Sequence, residues 1–341
     1  MFRAGLKWVF LITGTTMGAG YASGREIWVF FGNGSDLAIL LFTLLFIICV
    51  NVILTISYES QTSNYLPVLQ KVVGNKIAKV YDFMILVYLF SVTVVMIAGS
   101  GASFQSLGFP VWWGIGFIFI ALVLIFQKGI NGLLTINEIL MPLLIISLFY
   151  ILVVFMQDEQ ISFLIDWRQQ DNWMSGFPFA ALNLLPLVAV LGAIGGKITS
   201  KGEIYVASII SGLILGVISF IYNKSLVHLS TQMIIDEIPL FAIINNYHNQ
   251  IMLIMIIMLW LAIYTTAAST LLGMVTRIQN KIDQPIGKLV FVVLLCMLPF
   301  TMIGFSQLIN VLYPLYGILN LYIVVKLLFY PIWNKKGNTN L

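Results

Sequence analysis

The feature that most constrains the fold is a cluster of glycines inside the first apolar segment. Four of the eleven residues from Gly14 to Gly24 are glycine, in the middle of a run long enough to cross a membrane. Glycine weakens a helix by about 1 kcal/mol relative to alanine. In hydrocarbon, the backbone groups freed by a broken helix are tolerated only where they face protein or line a polar cavity. The pattern therefore predicts a first span that opens to bind something with its main chain.

Composition places the whole chain in a membrane. Of its 341 residues, 60% are hydrophobic and 9% are charged, whereas soluble domains carry about 25% charged residues. A span takes about 20 apolar residues, so we predict an all-α integral membrane protein with ten transmembrane helices. Their expected ranges are 7–31, 36–57, 80–104, 110–127, 133–156, 177–198, 204–223, 250–276, 287–304 and 307–332.

The distribution of Lys and Arg predicts the orientation. With ten spans and both termini in the cytoplasm, only Arg25, Arg168 and Lys224 of the 17 basic residues fall on the outer side, as the positive-inside rule requires. The alternative for the first segment, a cleaved signal peptide, is disfavoured because many spans follow. The net charge of +4 thus reflects topology. We expect a lipid bilayer and a small-molecule substrate as partners, with no nucleic acid, no obligate protein partner and no enzyme activity.

The chain divides into two halves at its longest polar interruption, residues 157–173. Five spans on each side imply two five-helix repeats of inverted topology, and the first span of each repeat should be discontinuous. The sixth segment agrees, since Pro186 is followed by a second glycine cluster, Gly192–Gly196. Close helix packing on these glycines is the alternative. The predicted units are repeat one at 1–156, repeat two with the outer connecting loop at 157–333, and a cytoplasmic tail at 334–341.

Two connecting segments are expected to carry structure of their own. Residues 61–78 repeat Leu and Val at helical intervals, which predicts a short helix on the inner membrane surface. Residues 231–248 form an amphipathic outer segment, which we interpret as a lid. An ordinary loop is the alternative for each segment.

An interrupted first span would present main-chain donors and acceptors at the bilayer centre. Its outer half begins near Gly18, so the amides of Gly18, Ala19 and Gly20 are candidates to bind a carboxylate at the positive end of a helix. Its inner half ends near Thr16, whose carbonyl would face an amine or a cation. Further substrate contacts are expected from the sixth span and from side chains of spans 3 and 10: Leu191, Gly192, Gly195, Ser91 and Tyr313.

A polar stretch in the eighth span predicts a cation site. Thr266, Ser269 and Thr270 follow at intervals of three and four residues and share one helix face. The hydroxyls of Ser269 and Thr270, with the carbonyls of Gly14, Met17 and Thr266, would give Na⁺ about five neutral oxygens. The alternative is that these hydroxyls only bond to their own helix or join helices.

Several polar residues lie inside or beside the spans, where charge is costly and usually functional. Glu138, in the inner third of span 5, is a candidate proton site or a group behind the cation ligands. Arg25 and Glu26 adjoin the outer half of the first span and are candidates for an outer gate. We assign four amides to contacts between helices: Asn137, Asn183, Asn310 and Asn320.

The run Gly14-Thr15-Thr16-Met17-Gly18-Ala19-Gly20 resembles the first-span motif of the APC (amino acid–polyamine–organocation) superfamily, which has the LeuT-type fold. The chain is also similar to YkvI-type bacterial membrane proteins. The resemblance implies a bacterial cytoplasmic membrane, the same amide site for a substrate carboxylate, and Na⁺ as cofactor at the superfamily's second sodium position. The chain departs from the pattern at Arg25-Glu26, where many members carry proline, and at Ala193-Ile194, where many carry an acidic or aromatic gate.

These observations together predict a secondary active transporter. The expected mechanism is alternating-access symport of a small neutral amino acid or related amine, coupled to Na⁺. Two alternatives remain open: a proton-coupled carrier that uses Glu138, and an amino-acid-sensing receptor subunit that binds its ligand without moving it.

Overall fold

The computed structural model describes residues 2–127, 129–165, 167–230, 238–244, 247, 249–282, 284–303 and 305–337, and these are almost entirely helical. The α-helices are α1 (Phe2–Thr16), α2 (Ala19–Ala22), α3 (Arg25–Phe30), α4 (Asp36–Glu59), α5 (Leu66–Ser106), α6 (Val111–Phe126), α7 (Gly129–Asp158), α8 (Gly176–Ala193), α9 (Lys201–His228), α10 (Pro239–Ile244), α11 (Asn249–Gln279), α12 (Ile286–Met297), α13 (Phe305–Leu319) and α14 (Leu321–Gly337). Short 3₁₀ helices cover Trp173–Ser175, Gly195–Lys197 and Leu298–Ile303.

Eight helical stretches within the described residues are long and apolar enough to cross a bilayer. They are Asp36–Glu59, Leu66–Gln105, Asn137–Asp158, Trp173–Ala193, Lys201–His228, Gln250–Gln279, Ile286–Ile303 and Gln307–Ile332. Each overlaps one of the predicted spans, which confirms a multi-span helical membrane protein. The two other predicted spans coincide with α6, an apolar helix of 16 residues, and with the successive short helices α1, α2 and α3.

Helices α1 and α8 lie at the centre of the bundle. Helix α1 packs against α7, α9 and α11, and α8 packs against α4, α11 and α13. In the most apolar 18 residues of Trp173–Ala193, 89% of the residues are buried. The corresponding share is 28% for Ile286–Ile303 at the periphery. The exposed side chains of that peripheral stretch include Phe291, Val292 and Leu295, which are suited to hydrocarbon. The central position of α1 places its glycines next to several helices at once.

The first apolar segment is interrupted twice. Helix α1 ends at Thr16, and Gly18 is extended before α2 begins. A second interruption lies at Gly24, whose φ of +81° favours glycine because a Cβ atom is strained there. A Cβ on Gly24 would also come within 2.8 Å of the Tyr222 ring. The hydroxyl of Tyr222 donates to the carbonyl of Ala22 at 3.0 Å and so fastens this segment to α9.

The second glycine cluster lies elsewhere along its helix. Helix α8 continues through Pro186 to Ala193, and the cluster follows at its C-terminal end. A Cβ on Gly192 would lie 2.5 Å from Tyr65 Cα, and one on Gly195 would overlap the carbonyl of Ser57. These glycines allow the segment between α4 and α5 to pack against α8. The interruption predicted around Leu191–Gly195 thus coincides with the end of α8. The middle of α8 is continuously helical.

Helix α5 is bent near its start. Gly74 has φ +78° and ψ 161°, which breaks the helix between a first part at 66–73 and the long part that follows. Val68 and Leu69 of the first part are buried, while Lys71 is exposed. This short amphipathic helix lies in the stretch for which a surface helix is predicted.

Candidate functional site

The break after α1 leaves main-chain groups that a continuous helix would pair. In an α-helix the amide of Gly18 would bond to the carbonyl of Gly14, but here it donates to the carbonyl of Thr16 at 2.9 Å. The freed carbonyl of Gly14 accepts a hydrogen bond from Thr266 Oγ1 at 2.7 Å. The first segment and α11 are therefore joined through an acceptor that the interruption creates.

The amide of Ala19 also lacks its regular helical partner. It donates to Met96 Sδ on α5 at 3.3 Å, and the carbonyl of Thr15, its partner in a regular helix, lies 3.4 Å from Thr266 Oγ1. Of the amides predicted to bind a substrate carboxylate, those of Gly18 and Ala19 thus have acceptors within the protein. A carboxylate would have to replace both bonds.

A small cavity lies beside the break, with a volume of about 20 Å³, room for roughly one water molecule. Helices α1, α3, α5, α8, α11 and α13 contribute to its wall. The lining residues are Thr15, Thr16, Gly18, Glu26, Tyr88, Val92, Met96, Leu182, Asn183, Pro186, Thr266, Thr270 and Tyr313. Of the predicted substrate residues, the structure brings Thr16, Gly18 and Tyr313 to this cavity.

Glu26 and Arg25 face different surroundings although they are neighbours in the chain. The side chain of Glu26 is 4% exposed, lines the cavity, and accepts a hydrogen bond from the amide of Tyr21. Its carboxylate packs so closely on Gly20 that a Cβ there would overlap Glu26 Oε1. Arg25 instead donates from Nε and Nη2 to Asn310 Oδ1, each at 3.2 Å. Only Glu26 reaches the centre, while Arg25 connects α3 to α13.

Three of the predicted cation ligands lie on α11, and one of them, Thr266, contacts the freed carbonyls of α1. Thr266 donates to Gly14, and Thr270 Oγ1 donates to the carbonyl of Thr266 at 2.9 Å and lies 2.9 Å from Thr93 Oγ1. Ser269 is fully buried, and its hydroxyl has no hydrogen-bond partner. On the helix, Ser269 lies about 60° from Thr266 on the side away from Thr270. A buried hydroxyl without a partner costs free energy, so this position fits an oxygen kept for a ligand.

Asn137 on α7 is a second buried polar group without a partner. It is fully buried, and neither its amide oxygen nor its amide nitrogen is hydrogen-bonded. A Cβ on Gly14 would lie 2.6 Å from Asn137 Oδ1, and Met141 Sδ would be 3.1 Å away. From the sequence, contacts between helices are the prediction for Asn137, because its residue type gives no sign of which neighbour it meets. The structure places its amide beside the carbonyl-bearing end of α1.

Five other predicted residues are not among the described residues that line the cavity. Gly192 and Gly195 contact the segment between α4 and α5, as above, and Leu191 precedes them at the end of α8. Ser91 donates to the carbonyl of Val87 and lies 3.1 Å from the Tyr316 hydroxyl. Glu138 is exposed on the side of α7 turned away from the bundle. From α8 it is Leu182, Asn183 and Pro186 that line the cavity instead.

Two contacts close the bundle at opposite ends of α1. At the end where α1 begins, Arg277 of α11 makes a bidentate ion pair with Asp82 of α5, with distances of 2.8 and 2.7 Å, and the Tyr65 hydroxyl donates to Asp82 at 2.8 Å. At the other end the amide of Leu240 in α10 donates to the carbonyl of Ser23. Helix α10 belongs to the predicted lid, of which residues 231–237, 245–246 and 248 lie outside the described residues.

Comparison with known proteins shows which proteins the chain is similar to. No protein-family model matches it. The uncharacterized protein YyaD of Bacillus subtilis (strain 168) is 47% identical over 335 residues, which cover 98% of this chain and 99% of that protein. The uncharacterized membrane protein YkvI of the same organism is 26% identical over 330 residues, 94% of each.

Three solved structures share the fold. MhsT in complex with L-phenylalanine has a TM-score of 0.70 at 19% identity, over 96% of this chain and 86% of that one. A Na⁺-coupled sialic acid symporter has 0.69 at 12% identity, over 96% and 78%. Mhp1, a nucleobase-cation-symport-1 family transporter with bromovinylhydantoin bound, has 0.56 at 11% identity, over 92% and 74%. These likenesses confirm the LeuT-type fold expected from the first-span motif.

Proposed function

Because the chain belongs to the family of the Bacillus subtilis protein YyaD and has the fold of these transporters, we propose that it is a Na⁺-coupled secondary transporter. It moves a small neutral amino acid or related amine by alternating access, through ten spans in two inverted repeats, 1–156 and 157–333. The observation that carries the proposal is the interrupted first segment, whose freed Gly14 carbonyl meets Thr266 beside a central cavity. Transporters built from such repeats hold solute and ion at broken helices, and the first segment of this chain supplies one such break.

The ion in this proposal is Na⁺, bound between α1 and α11. Its ligands are the carbonyls of Gly14, Met17 and Thr266 and the hydroxyls of Ser269 and Thr270. The free hydroxyl of Ser269 supports the assignment, because it is buried and has no partner within the protein. Within the described residues, no group of three or more His, Cys, Asp or Glu could hold a metal. A set of neutral oxygens suits an alkali cation, whereas a transition metal favours imidazole or thiolate ligands.

The amide oxygen of Asn137 is a sixth candidate ligand, contributed by α7. It lies against Gly14 and has no other partner. A cation there would bond three helices together, since α1, α7 and α11 pack against one another. Na⁺ binding would then stabilise the interrupted end of α1, and solute affinity would rise with Na⁺ concentration. By linkage, the solute would raise the affinity for Na⁺ by the same factor.

Alternating access requires that each end of the cavity close in turn. The ion pair of Arg277 with Asp82 is suited to close the cytoplasmic end, and α10 on Ser23 the outer end. We place the protein in the bacterial cytoplasmic membrane with both termini inside, on the distribution of its basic residues. The fold does not specify the solute, because the three similar structures are of proteins for different compounds: L-phenylalanine, sialic acid and bromovinylhydantoin.

Coupling to protons through Glu138 is less well supported. A proton carrier has to exchange between the cavity and each side, and Glu138 is exposed on the outside of the bundle. No described contact connects it with the cavity. Sodium therefore remains the coupling ion in the proposal.

Uptake by reconstituted protein tests the function. The protein is placed in liposomes and offered a panel of labelled amino acids and amines with an inward Na⁺ gradient, with a pH gradient, or with neither. The proposal expects uptake only with the Na⁺ gradient, and no uptake by the double variant Ser269→Ala/Thr270→Ala. Uptake that follows pH and ignores Na⁺ would contradict it. Saturable binding without uptake would identify a receptor.

A further inference from the structure

Glu26 is a buried carboxylate at the centre of the bundle whose role the cation site leaves unexplained. It lines the cavity and is 4% exposed. An ionised carboxylate removed from water is strongly destabilising unless something compensates its charge. Inside a membrane protein such a residue indicates a functional site by default.

No cationic side chain compensates Glu26 within the part of the chain that the structure describes. The ion pairs there join Lys201 with Glu59, Lys224 with Asp36, His228 with Glu159, and Arg277 with Asp82. Arg25, the nearest basic residue along the chain, is bonded to Asn310. The amide of Tyr21 is a neutral donor and supplies only part of the compensation. The remainder has to come from a proton on the carboxyl group or from a cationic group that enters the cavity.

The position of the carboxylate decides which charge that group carries. Glu26 packs directly on Gly20, one of the three residues whose amides would bind a substrate carboxylate. A negatively charged group placed there would face the negative charge of Glu26 at close range. The amides of Gly18 and Ala19 already have acceptors in Thr16 and Met96. This end of the cavity therefore suits a positive group and disfavours a carboxylate.

Aromatic rings beside Glu26 support the same sign of charge. Tyr88 and Tyr313 both line the cavity. The hydroxyl of Tyr88 donates to the carbonyl of Leu182 at 3.0 Å, so its ring is the part left for a solute. Ring faces attract ammonium groups through their quadrupole. A carboxylate and two aromatic rings on the wall of one cavity are groups that attract an organic cation.

We propose that the transported solute is a small organic amine without a carboxylate, and that its ammonium group binds to Glu26 beside Tyr88 and Tyr313 when the cavity, here about 20 Å³, widens during transport. The inference rests on the proposed transport function and narrows its solute from amino acids and amines to amines alone. Gly20 is needed in this arrangement because any side chain there would displace the carboxylate. Glu26 is then the residue that determines specificity.

Binding of matched probes tests the inference. Each pair consists of an amino acid and the amine that remains when its carboxylate is removed: serine with ethanolamine, valine with isobutylamine, phenylalanine with phenethylamine. The thermal stability of the purified protein is measured in NaCl with each compound at millimolar concentration. The expected result is stabilisation by at least one amine and by none of the amino acids. Stabilisation by an amino acid equal to that by its amine would overturn the proposal, as would no response to any amine.

Variants of Glu26 test whether amine binding depends on this carboxylate. Glu26→Gln should weaken binding of the stabilising amine by about 10- to 100-fold, the range expected for losing a charged hydrogen bond, while Glu26→Asp should retain part of it. The matched control is Glu138→Gln, the same change at an exposed position. Stabilisation by Na⁺ alone should persist in Glu26→Gln, which shows that the variant is folded. Unchanged amine binding by Glu26→Gln would overturn the proposal.

Failure of the inference is distinguishable from failure of the proposed function. Na⁺-driven uptake of an amino acid would leave the transporter standing and refute the amine. Amine binding that needs Glu26, without any uptake, would keep the ligand class and refute transport.

Discussion

The two glycine clusters of the chain have similar composition and different surroundings. The first, Gly14–Gly24, interrupts a central segment and leaves carbonyl groups that meet Thr266 beside a cavity. The second, Gly192–Gly196, spans the C-terminal end of α8, which is continuous for 18 residues. There Gly195 meets the backbone of Ser57 near the end of α4, and Gly192 meets the backbone of Tyr65 just before α5.

The difference shows that glycine has two separate uses in a membrane helix. It releases the backbone from the helix, and it allows another backbone to approach closely. The atoms that a Cβ would meet separate the two cases. At Gly20 they belong to the flexible side chain of Glu26, whereas at Gly195 they include the backbone carbonyl of Ser57. A methyl group at the first position should damage the site, and one at the second should damage the fold.

The largest effect on stability is expected for Gly195→Ala. The new methyl group would overlap the Ser57 carbonyl and Thr62 Oγ1, and overpacking against backbone costs about 3 kcal/mol. Unfolding in mixed micelles measures the loss. Gly196→Ala is the matched control, because its nearest neighbouring atom is 3.7 Å away. Equal stability of the two variants would remove the packing role assigned to the second cluster.

Gly20→Ala should affect binding rather than folding. The methyl group displaces the Glu26 carboxylate, whose side chain can move, so the free energy of unfolding should change by less than about 1 kcal/mol. Solute affinity should fall by about 30-fold, which corresponds to about 2 kcal/mol. Titration of the solute identified by uptake measures it. A variant that unfolds readily but binds normally when folded would reverse the distinction between the clusters.

Arg277→Lys should weaken closure at the end where the second cluster packs. Lysine cannot reproduce the bidentate pair with Asp82, and we expect a loss of about 1–2 kcal/mol from the closed form. The rate at which a thiol reagent modifies Ser57→Cys, in a chain without Cys49 and Cys296, measures opening of this end. The rate should rise about tenfold, and Arg3→Lys, at an exposed position, should leave it unchanged. An unchanged rate in Arg277→Lys would mean that the ion pair is no gate.

The smallest effect is expected for Asn137→Leu, which should raise the stability of the protein and lower its affinity for Na⁺. Removing a buried amide without partners should stabilise the Na⁺-free protein by about 1 kcal/mol. The affinity for Na⁺ should fall because one oxygen ligand is lost. Thermal unfolding with and without Na⁺ measures both. Increased stability with unchanged Na⁺ affinity would show that Asn137 is not a Na⁺ ligand.

Much of the fold can be predicted from the sequence because apolar segments and glycine clusters are local signals. Eight predicted spans coincide with long apolar helices, and the interruption near Gly18 lies where four glycines fall together. The part of the site on α8 could not be predicted. A glycine cluster is typical of both close approach and backbone release. The sequence therefore predicts the break at Leu191–Gly195, whereas Asn183 and Pro186 line the cavity.

The roles of Glu26 and Asn137 also depend on information that a single sequence lacks. Two interruptions precede Glu26, and each changes the rotation of the helix that follows. Which of Arg25 and Glu26 faces the cavity therefore cannot be derived from a helical wheel. The contact of Asn137 with Gly14 joins residues more than a hundred positions apart.

Equilibrium binding of ²²Na⁺ to the purified protein tests the central claim most directly, because it needs no knowledge of the solute. Wild-type protein should bind Na⁺ saturably in a choline background, and Ser269→Ala/Thr270→Ala should not. Thr276→Ala, which removes a hydroxyl bonded within α11 to Leu272, is the matched control and should bind normally. Equal Na⁺ binding by wild type and the double variant would contradict a cation site between the interrupted first segment and α11.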